Sequence, residues 1–279
     1  MSFATGKRVL ITGANSGIGF ETARILSAYG AEVIMVCRNR ERGERARTEI
    51  LNRDPDADIT LFIADLSSRA SIESLCGELH RAYRSIHILI NNAGAVFHKP
   101  SQTDDGLERT FALNHMGPFR LTMGILDLLQ NAEQARVITV SSEGHRFFPI
   151  DIEDIQRPRR YKAFKAYCNS KLANILFTRE LARRYGNSGI SAVSLHPGFV
   201  RTNFSGLTEK SLSARLFLIF ARLFASSPEK GAATSVFLAD APEITNGMYY
   251  VKKKLRKPSR SARTDQLASI LWDMSSKLA

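Results

Sequence analysis

Cysteine is scarce in this chain: three residues in 279, Cys37, Cys76 and Cys168, widely spaced. An odd, scattered set supports neither a disulfide framework nor a bound metal, and predicts reduced thiols in a cytoplasmic protein. No uninterrupted apolar run is long enough for a membrane span. A basic-flanked apolar stretch, Lys7 to Thr12, follows the first residues almost at once, which predicts no secretory signal. Glycine/serine linkers, low-complexity tracts and repeats of fixed period are missing as well. One domain over residues 1–279 is therefore the simplest expectation, and 44% hydrophobic content is enough for its core.

Acidic residues are outnumbered, 27 against 39 lysines and arginines, for a net charge of +12. The densest basic clusters are Arg157–Lys162 and Lys252–Lys257 with Arg260 and Arg263, which mark 251–279 as a basic C-terminal extension. Such a surface attracts anionic lipid or nucleic acid without specificity. No nucleic-acid-binding motif accompanies it, so no specific nucleic-acid partner is expected. Solvated charge is the first reading and weak peripheral association with a membrane the second. Composition does not choose between a monomer and a homodimer.

Short β-rich apolar runs recur at Val9–Thr12, Glu32–Cys37, Ile59–Ala64, His87–Asn91, Arg136–Ser141 and Ile190–Leu195. They are too continuous to be half-exposed and suit a sheet covered on both faces. Helical patterns lie between them, near 17–29, 41–53, 68–84, 104–130 and 161–185. Strict alternation predicts an α/β fold: a doubly wound parallel sheet with helices on both faces. In such a sheet a ligand sits beyond the carboxyl ends of the strands.

The first strand-to-helix turn reads Thr12-Gly13-Ala14-Asn15-Ser16-Gly17-Ile18-Gly19. Gly13 permits the tight turn, while Gly17 and Gly19 let backbone approach a pyrophosphate. The following helix offers free amides and the positive end of its dipole. Asn15, Ser16 and Ile18 complete this candidate cofactor cradle. The second strand ends in Cys37, where an acidic residue would accept hydrogen bonds from ribose hydroxyls and repel a 2′-phosphate. Arg38 follows, with Arg40 and Arg42 nearby. An arginine can stack on adenine and clamp a phosphate, which predicts NADP(H) over NAD(H). Merely solvated charge at a helix start is the competing reading.

At the other end of the chain stands Tyr167-Cys168-Asn169-Ser170-Lys171. On a helix, positions i and i+4 share a face, so phenol and ammonium point into one site. A fixed positive charge stabilises phenolate. Lowering a tyrosine pKa from about 10 to near neutrality takes roughly 4 kcal/mol. Such a group can give a proton to a carbonyl. Tyr161-Lys162-Ala163-Phe164-Lys165 repeats the spacing six residues earlier. Six residues turn a helix by roughly 600°, so the two pairs face directions about 120° apart. The apolar stripe Leu172 to Phe177 buries the second pair's helix, whereas the first pair reads as an exposed helix start. Tyr167 is the expected acid.

Together these motifs resemble the short-chain dehydrogenase/reductase family nearly from end to end. The resemblance rests on Thr12-Gly13-x3-Gly17-x-Gly19, Asn91-Asn92-Ala93-Gly94, Asp65, Pro197-Gly198 with Thr202, and the set Asn114, Ser142, Tyr167 and Lys171. It implies a Rossmann-type fold. Asp65 and Leu66 would lie at adenine, Asn92, Ala93 and Gly94 along the cofactor, and Pro197, Gly198, Val200 and Thr202 on the nicotinamide side. Tyr167 would exchange a proton with the substrate oxygen. Lys171 would depress the tyrosine pKa and hold the nicotinamide ribose. Ser142 would hydrogen-bond the substrate oxygen, and Asn114 would hold a helix kink and a relaying water. Ser141 beside Ser142 competes as a plain cap, Asn114 as a helix-terminal hydrogen bonder, and Asp65 as the cap of the helix after it.

The long interval between Ser142 and Tyr167, Cys37-Arg38, Asn114-His115-Met116-Gly117 and Gly247-Met248-Tyr249-Tyr250 are similar to the retinol dehydrogenase-like branch. That resemblance implies a hydrophobic carbonyl or alcohol substrate. A redox sensor without turnover, or the same chemistry on a sterol or pigment precursor, are the alternatives. The apolar stretch Leu212–Ala225, within a segment 203–226, reads as a substrate lid or a helix lying in a membrane interface, with a dimer or core-packing helix as the competing reading.

Overall fold

The computed structural model describes residues 2–152, 154–155, 161–198 and 227–279. Eight strands form one sheet: β1 (Arg8–Thr12), β2 (Glu32–Cys37), β3 (Ile59–Ile63), β4 (Ile88–Asn91), β5 (Ala135–Val140), β6 (Ile190–His196), β7 (Tyr249–Val251) and β8 (Lys254–Leu255). Their order is β3-β2-β1-β4-β5-β6-β7-β8. All neighbours are parallel except β7 and β8. The chain leaves β1 toward β2 and returns to β4 on β1's other side, so loops diverge at that junction and a crevice opens between them.

Side-chain alternation explains why the strands look continuously apolar. Leu10, Ile34, Leu89, Val137 and Ala192 join one core, while Val9, Ile11, Val33, Met35, Ile90, Ile138 and Val193 join the other. Each strand feeds both faces, and the helices cover them. The nine helices described are α1 (Gly17–Ala28), α2 (Arg40–Arg53), α3 (Arg69–Ala82), α4 (Arg109–Phe111), α5 (Gly117–Gly124), α6 (Leu126–Gln130), α7 (Ala163–Tyr185), α8 (Pro228–Asp240) and α9 (Asp265–Leu278). Residues of α1, α2 and α8 pack into the second core, and those of α3, α5, α7 and α9 into the first. Among the described residues no helix is long and apolar enough to cross a membrane, and none group as a metal site.

The single helix expected near 104–130 is instead broken. Glu108 caps a one-turn α4 through bonds from the amides of Thr110 and Phe111. A π-helical turn, Ala112–Met116, follows, and then α5 and α6. Gly117 lies against the Leu66 carbonyl, where an added Cβ would stand 2.6 Å from the oxygen. Close packing, which periodicity does not report, sets the break.

Residues 228–279 carry elements that hydrophobic pattern did not reveal. α8 stacks on α1, and α9 packs along α7. Within the expected basic extension, Trp272 is buried: its ring stacks on Phe177 at 5.9 Å and meets Phe119 edge-on at 5.1 Å. The Arg184 guanidinium lies 4.9 Å from the same ring. Between β7 and β8, Lys252 and Lys253 both take positive φ, 50° and 63°, the left-handed geometry of a two-residue hairpin turn. Removing the Trp272 side chain should cost about 3–5 kcal/mol. Urea unfolding of Trp272→Ala checks this, and a loss below about 1 kcal/mol would show α9 to be peripheral.

Candidate active site

The site grows from the carboxyl ends of β1, β4 and β5. After β1 the chain turns through Gly13 at φ 66° and Gly17 at φ 57°. Both lie in the left-handed region, which other residues enter only at a cost. Gly19 is constrained differently: a Cβ there would strike the Gly13 carbonyl and come within 2.5 Å of the Asn92 amide nitrogen. Ser16 is the exposed N-cap of α1, its side chain makes no capping bond, and the first turn holds no acidic residue. The helix end thus keeps its amides and positive potential for an anion. Beside Gly17 a Cβ would meet nothing within 4 Å. Asn15 is half-buried, whereas Ile18 turns its side chain into the core.

Asn92 spends its side chain on this turn, donating from Nδ2 to the Thr12 carbonyl at 2.8 Å. The Thr12 hydroxyl accepts from the amides of Asn92 and Ala93 at 2.9 and 3.0 Å. At the end of β2, Arg38 is 62% exposed and its guanidinium lies 3.7 Å from Asp65. Asp65 takes bonds from the Ser67 amide and hydroxyl at 2.9 and 2.6 Å, which tie the turn after β3; it does not cap the helix after it, since α3 starts at Arg69 and Ser68 is its N-cap. Burial alone would raise its pKa; the Ser67 bonds and the Arg38 charge outweigh that and lower it. Leu66 buries its side chain in the first core, which leaves only its backbone for a ligand.

Asn114 sits fully buried in the π-helical turn. Its Nδ2 donates to the Ala95 carbonyl at 2.9 Å and to the Ser170 hydroxyl at 3.0 Å, while its Oδ1 accepts from the Ala95 amide at 2.9 Å. The loop after β4 is thereby fastened to α7. Ser170 passes its own proton to the Tyr167 carbonyl at 2.7 Å. A Cβ on Gly94 would lie 3.2 Å from both Asn114 Oδ1 and Lys171 Nζ. The glycine therefore marks the floor shared by those two groups.

Lys171 is buried and donates from Nζ to the Val140 carbonyl at 3.0 Å, with its ammonium 5.8 Å from the centre of the Tyr167 ring. The two serines separate cleanly. Ser141 is buried and donates to the Lys171 carbonyl at 2.7 Å, a structural bond. Ser142 lies at the mouth of the site and hydrogen-bonds the Tyr167 phenol. Its hydroxyl also accepts from the Gly144 amide at 3.1 Å.

The expected lowering of the phenol pKa does not appear. Burial pushes Tyr167 up to about 12, and the Ser142 bond offsets only part of this. Burial likewise pulls Lys171 down to about 8. The low-polarity pocket penalises both charged forms, and the ammonium is aimed at a carbonyl instead of at the phenol oxygen. Tyr161 differs from expectation too. It precedes α7, is half-buried, and shares hydrogen bonds with the Phe97 carbonyl at 2.5 Å and the Thr110 hydroxyl at 3.3 Å. Lys165 pairs with Asp154 at 3.5 Å. Neither reaches the Tyr167 site. Pro197 and Gly198 follow β6, with Gly198 at φ 89°. Val200, Thr202, the segment 203–226 and Arg157–Arg160 lie outside the described residues.

Residues 7–212 match the short chain dehydrogenase family. The chain belongs to that family. It is 40% identical to retinol dehydrogenase 14 of Mus musculus, over 97% of this chain and 85% of that protein. Retinol dehydrogenase 12 of Homo sapiens is 40% identical, with 98% and 86% covered. A crystal structure from Mycobacterium paratuberculosis superposes with a TM-score of 0.79 at 32% identity, over 98% of this chain and 93% of that one. The NADP complex of Pseudomonas aeruginosa RhlG gives 0.71 at 25% identity, over 92% and 97%. The short chain dehydrogenase is thus an oxidoreductase by family, with retinol dehydrogenases among its relatives.

Its cradle fits a nicotinamide dinucleotide on its own geometry: open space at Gly17, an uncapped helix end without acidic residues, and an exposed arginine beside the second strand. The supporting role of Ser170 was not legible in the sequence, because its bond with Asn114 joins groups that only the fold brings near, and Ser141 serves the Lys171 carbonyl instead of capping the loop after it. Tyr167→Phe should reduce turnover by about 10²–10⁴-fold, the usual scale of general acid–base catalysis. Tyr161→Phe should keep most activity and lose about 1 kcal/mol of stability. Steady-state rates of both variants check this, and the reverse pattern would move the site.

Proposed function

We propose that this chain is an NADP(H)-dependent oxidoreductase acting on a hydrophobic carbonyl or alcohol. The observation that carries the reading is the hydrogen bond between the Ser142 hydroxyl and the Tyr167 phenol, with the Lys171 ammonium 5.8 Å from the centre of the same ring. When bound, the nicotinamide supplies or accepts the hydride. The protein's residues do the remainder. Tyr167 holds a proton on its phenol oxygen and delivers it to the carbonyl oxygen during reduction. Ser142 hydrogen-bonds that same oxygen and stabilises the charge that develops on it. Lys171, anchored on Val140, presents a donor toward the cofactor ribose. Asn114 keeps the Ala95 loop and α7 in register.

NADP(H) is favoured by the Arg38 guanidinium at the end of β2, where Cys37 stands in place of an acidic residue. An apolar substrate is favoured by a cluster of aromatic side chains from the segment after Ser142 and the first turn of α7. Phe147 and Phe148 approach Phe164 at 5.6 and 6.0 Å, and Phe147 is 57% exposed. The names of the retinol dehydrogenase relatives point the same way.

The first experiment follows NADPH oxidation with retinal, medium-chain alkanals and steroid ketones, with NADH as control. Turnover with NADPH at a KM at least about tenfold below that for NADH is expected, roughly 1.4 kcal/mol of discrimination. Arg38→Ala should remove the difference by raising the NADPH value. Equal KM values for the two cofactors in the unaltered protein would sink the preference.

A further inference from the structure

The residues just after Ser142 form a short 3-10 turn, Glu143–Arg146, and three of its side chains reach out of it. Glu143 accepts from the Tyr249 hydroxyl at 3.1 Å. Arg146 donates to the Lys257 carbonyl at 2.8 Å. His145, almost wholly buried, places Nδ1 2.6 Å from the Ser142 carbonyl and Nε2 3.1 Å from the Ser259 amide. Its ring lies edge-on to Tyr249 at 5.1 Å.

The chemistry of these partners determines the protonation of the ring. A backbone amide only donates, so Nε2 accepts and carries no proton. A carbonyl only accepts, so Nδ1 carries the proton and donates it to Ser142. A protonated ring would turn a second N–H against the Ser259 amide. Burial also lowers the His145 pKa and keeps the neutral form. The backbone amide of His145 donates to the same Ser142 carbonyl at 3.1 Å, so that peptide is held twice.

We propose that His145 is a positioning residue for the Ser142 hydroxyl, bracing the Ser142 peptide from Nδ1 while its own ring is held from Nε2 by the segment Lys257–Ser259. This rests on the reading that Ser142 hydrogen-bonds the substrate oxygen. Ser142 lies two residues past the end of β5 and caps the 3-10 turn, and its side-chain direction follows the orientation of its own peptide. An ångström of drift at a group that stabilises developing charge is costly, because such groups act through fixed placement. The brace is supplied by a stretch more than a hundred residues further along the chain, as the separation of His145 and Ser259 shows. The basic tail thereby becomes part of the active-site frame.

The test uses the full chain, NADPH and retinal. His145→Ala should lower kcat about tenfold while leaving the dissociation constant for NADPH, read by its fluorescence, unchanged. An asparagine amide can occupy the place of Nδ1, so His145→Asn should restore most of kcat. A glutamine reaches the place of Nε2 instead, so His145→Gln should not. Ser142→Ala separates the two ideas. If it leaves kcat intact, the role of Ser142 itself fails. If it lowers kcat but His145→Ala does not, the positioning role alone fails. Equal kcat losses in the alanine, asparagine and glutamine variants would also overturn it, since a packing role would make no distinction between the two ring nitrogens. Histidine NMR gives an independent reading: one resonance set should show the Nδ1–H tautomer and vanish in His145→Asn. An Nε2–H form for that residue would refute the brace.

Discussion

Everything in the site hangs on how the sheet's polar backbone is satisfied where β1 and β4 part. Two adjacent strands send their loops in opposite directions there, and buried amides and carbonyls left without partners would each cost about 1–3 kcal/mol. The Thr12 hydroxyl resolves the problem by accepting from two amides of the other loop, and Asn92 returns a bond to the Thr12 carbonyl. These bonds pair backbone groups of both loops where the crevice opens. Its two walls are the glycine turn with the end of α1 and the Asn92-Ala93-Gly94 segment.

A second tie of the same kind sits one layer away. The amide of Asn114 satisfies both backbone groups of Ala95 and touches Ser170, so a loop, a π-helical turn and α7 are joined at one side chain. The π-helical turn is the local consequence. A helix that ran on regularly would carry Asn114 to another angle and leave the Ala95 groups unpaired. Such interruptions gather at functional sites because they aim a side chain that the regular repeat would misdirect. Burial at this junction also sets the electrostatics. Burial presses both the phenol and the ammonium toward their neutral forms, so the phenol holds its proton.

Much of the fold was legible because it depends on local chemistry. Six of the parallel strands announced themselves through runs of branched residues, and the glycine turn through its spacing. The Tyr167–Lys171 pair was legible for the same reason, since i and i+4 on a helix face one direction. The last two strands and α8 and α9 were not. β7 is three residues long and β8 two, too short for any period to show. α9 hides in a stretch that reads as basic, although Trp272 buries there against rings from α5 and α7.

The sequence by itself determined the alternation of elements, the glycine cradle, the pairing of phenol with ammonium and the family. These are short-range matters, decided by neighbours within one turn or one strand. The tertiary structure alone decided which way the lysine aims and what Ser141 and Tyr161 bond to instead of the site. It also decided the upward push on the Tyr167 pKa and the bracing of Ser142 by the chain's distant end. Each of those depends on groups far apart in sequence that meet only when the sheet is assembled, and on the loss of water around them once they do.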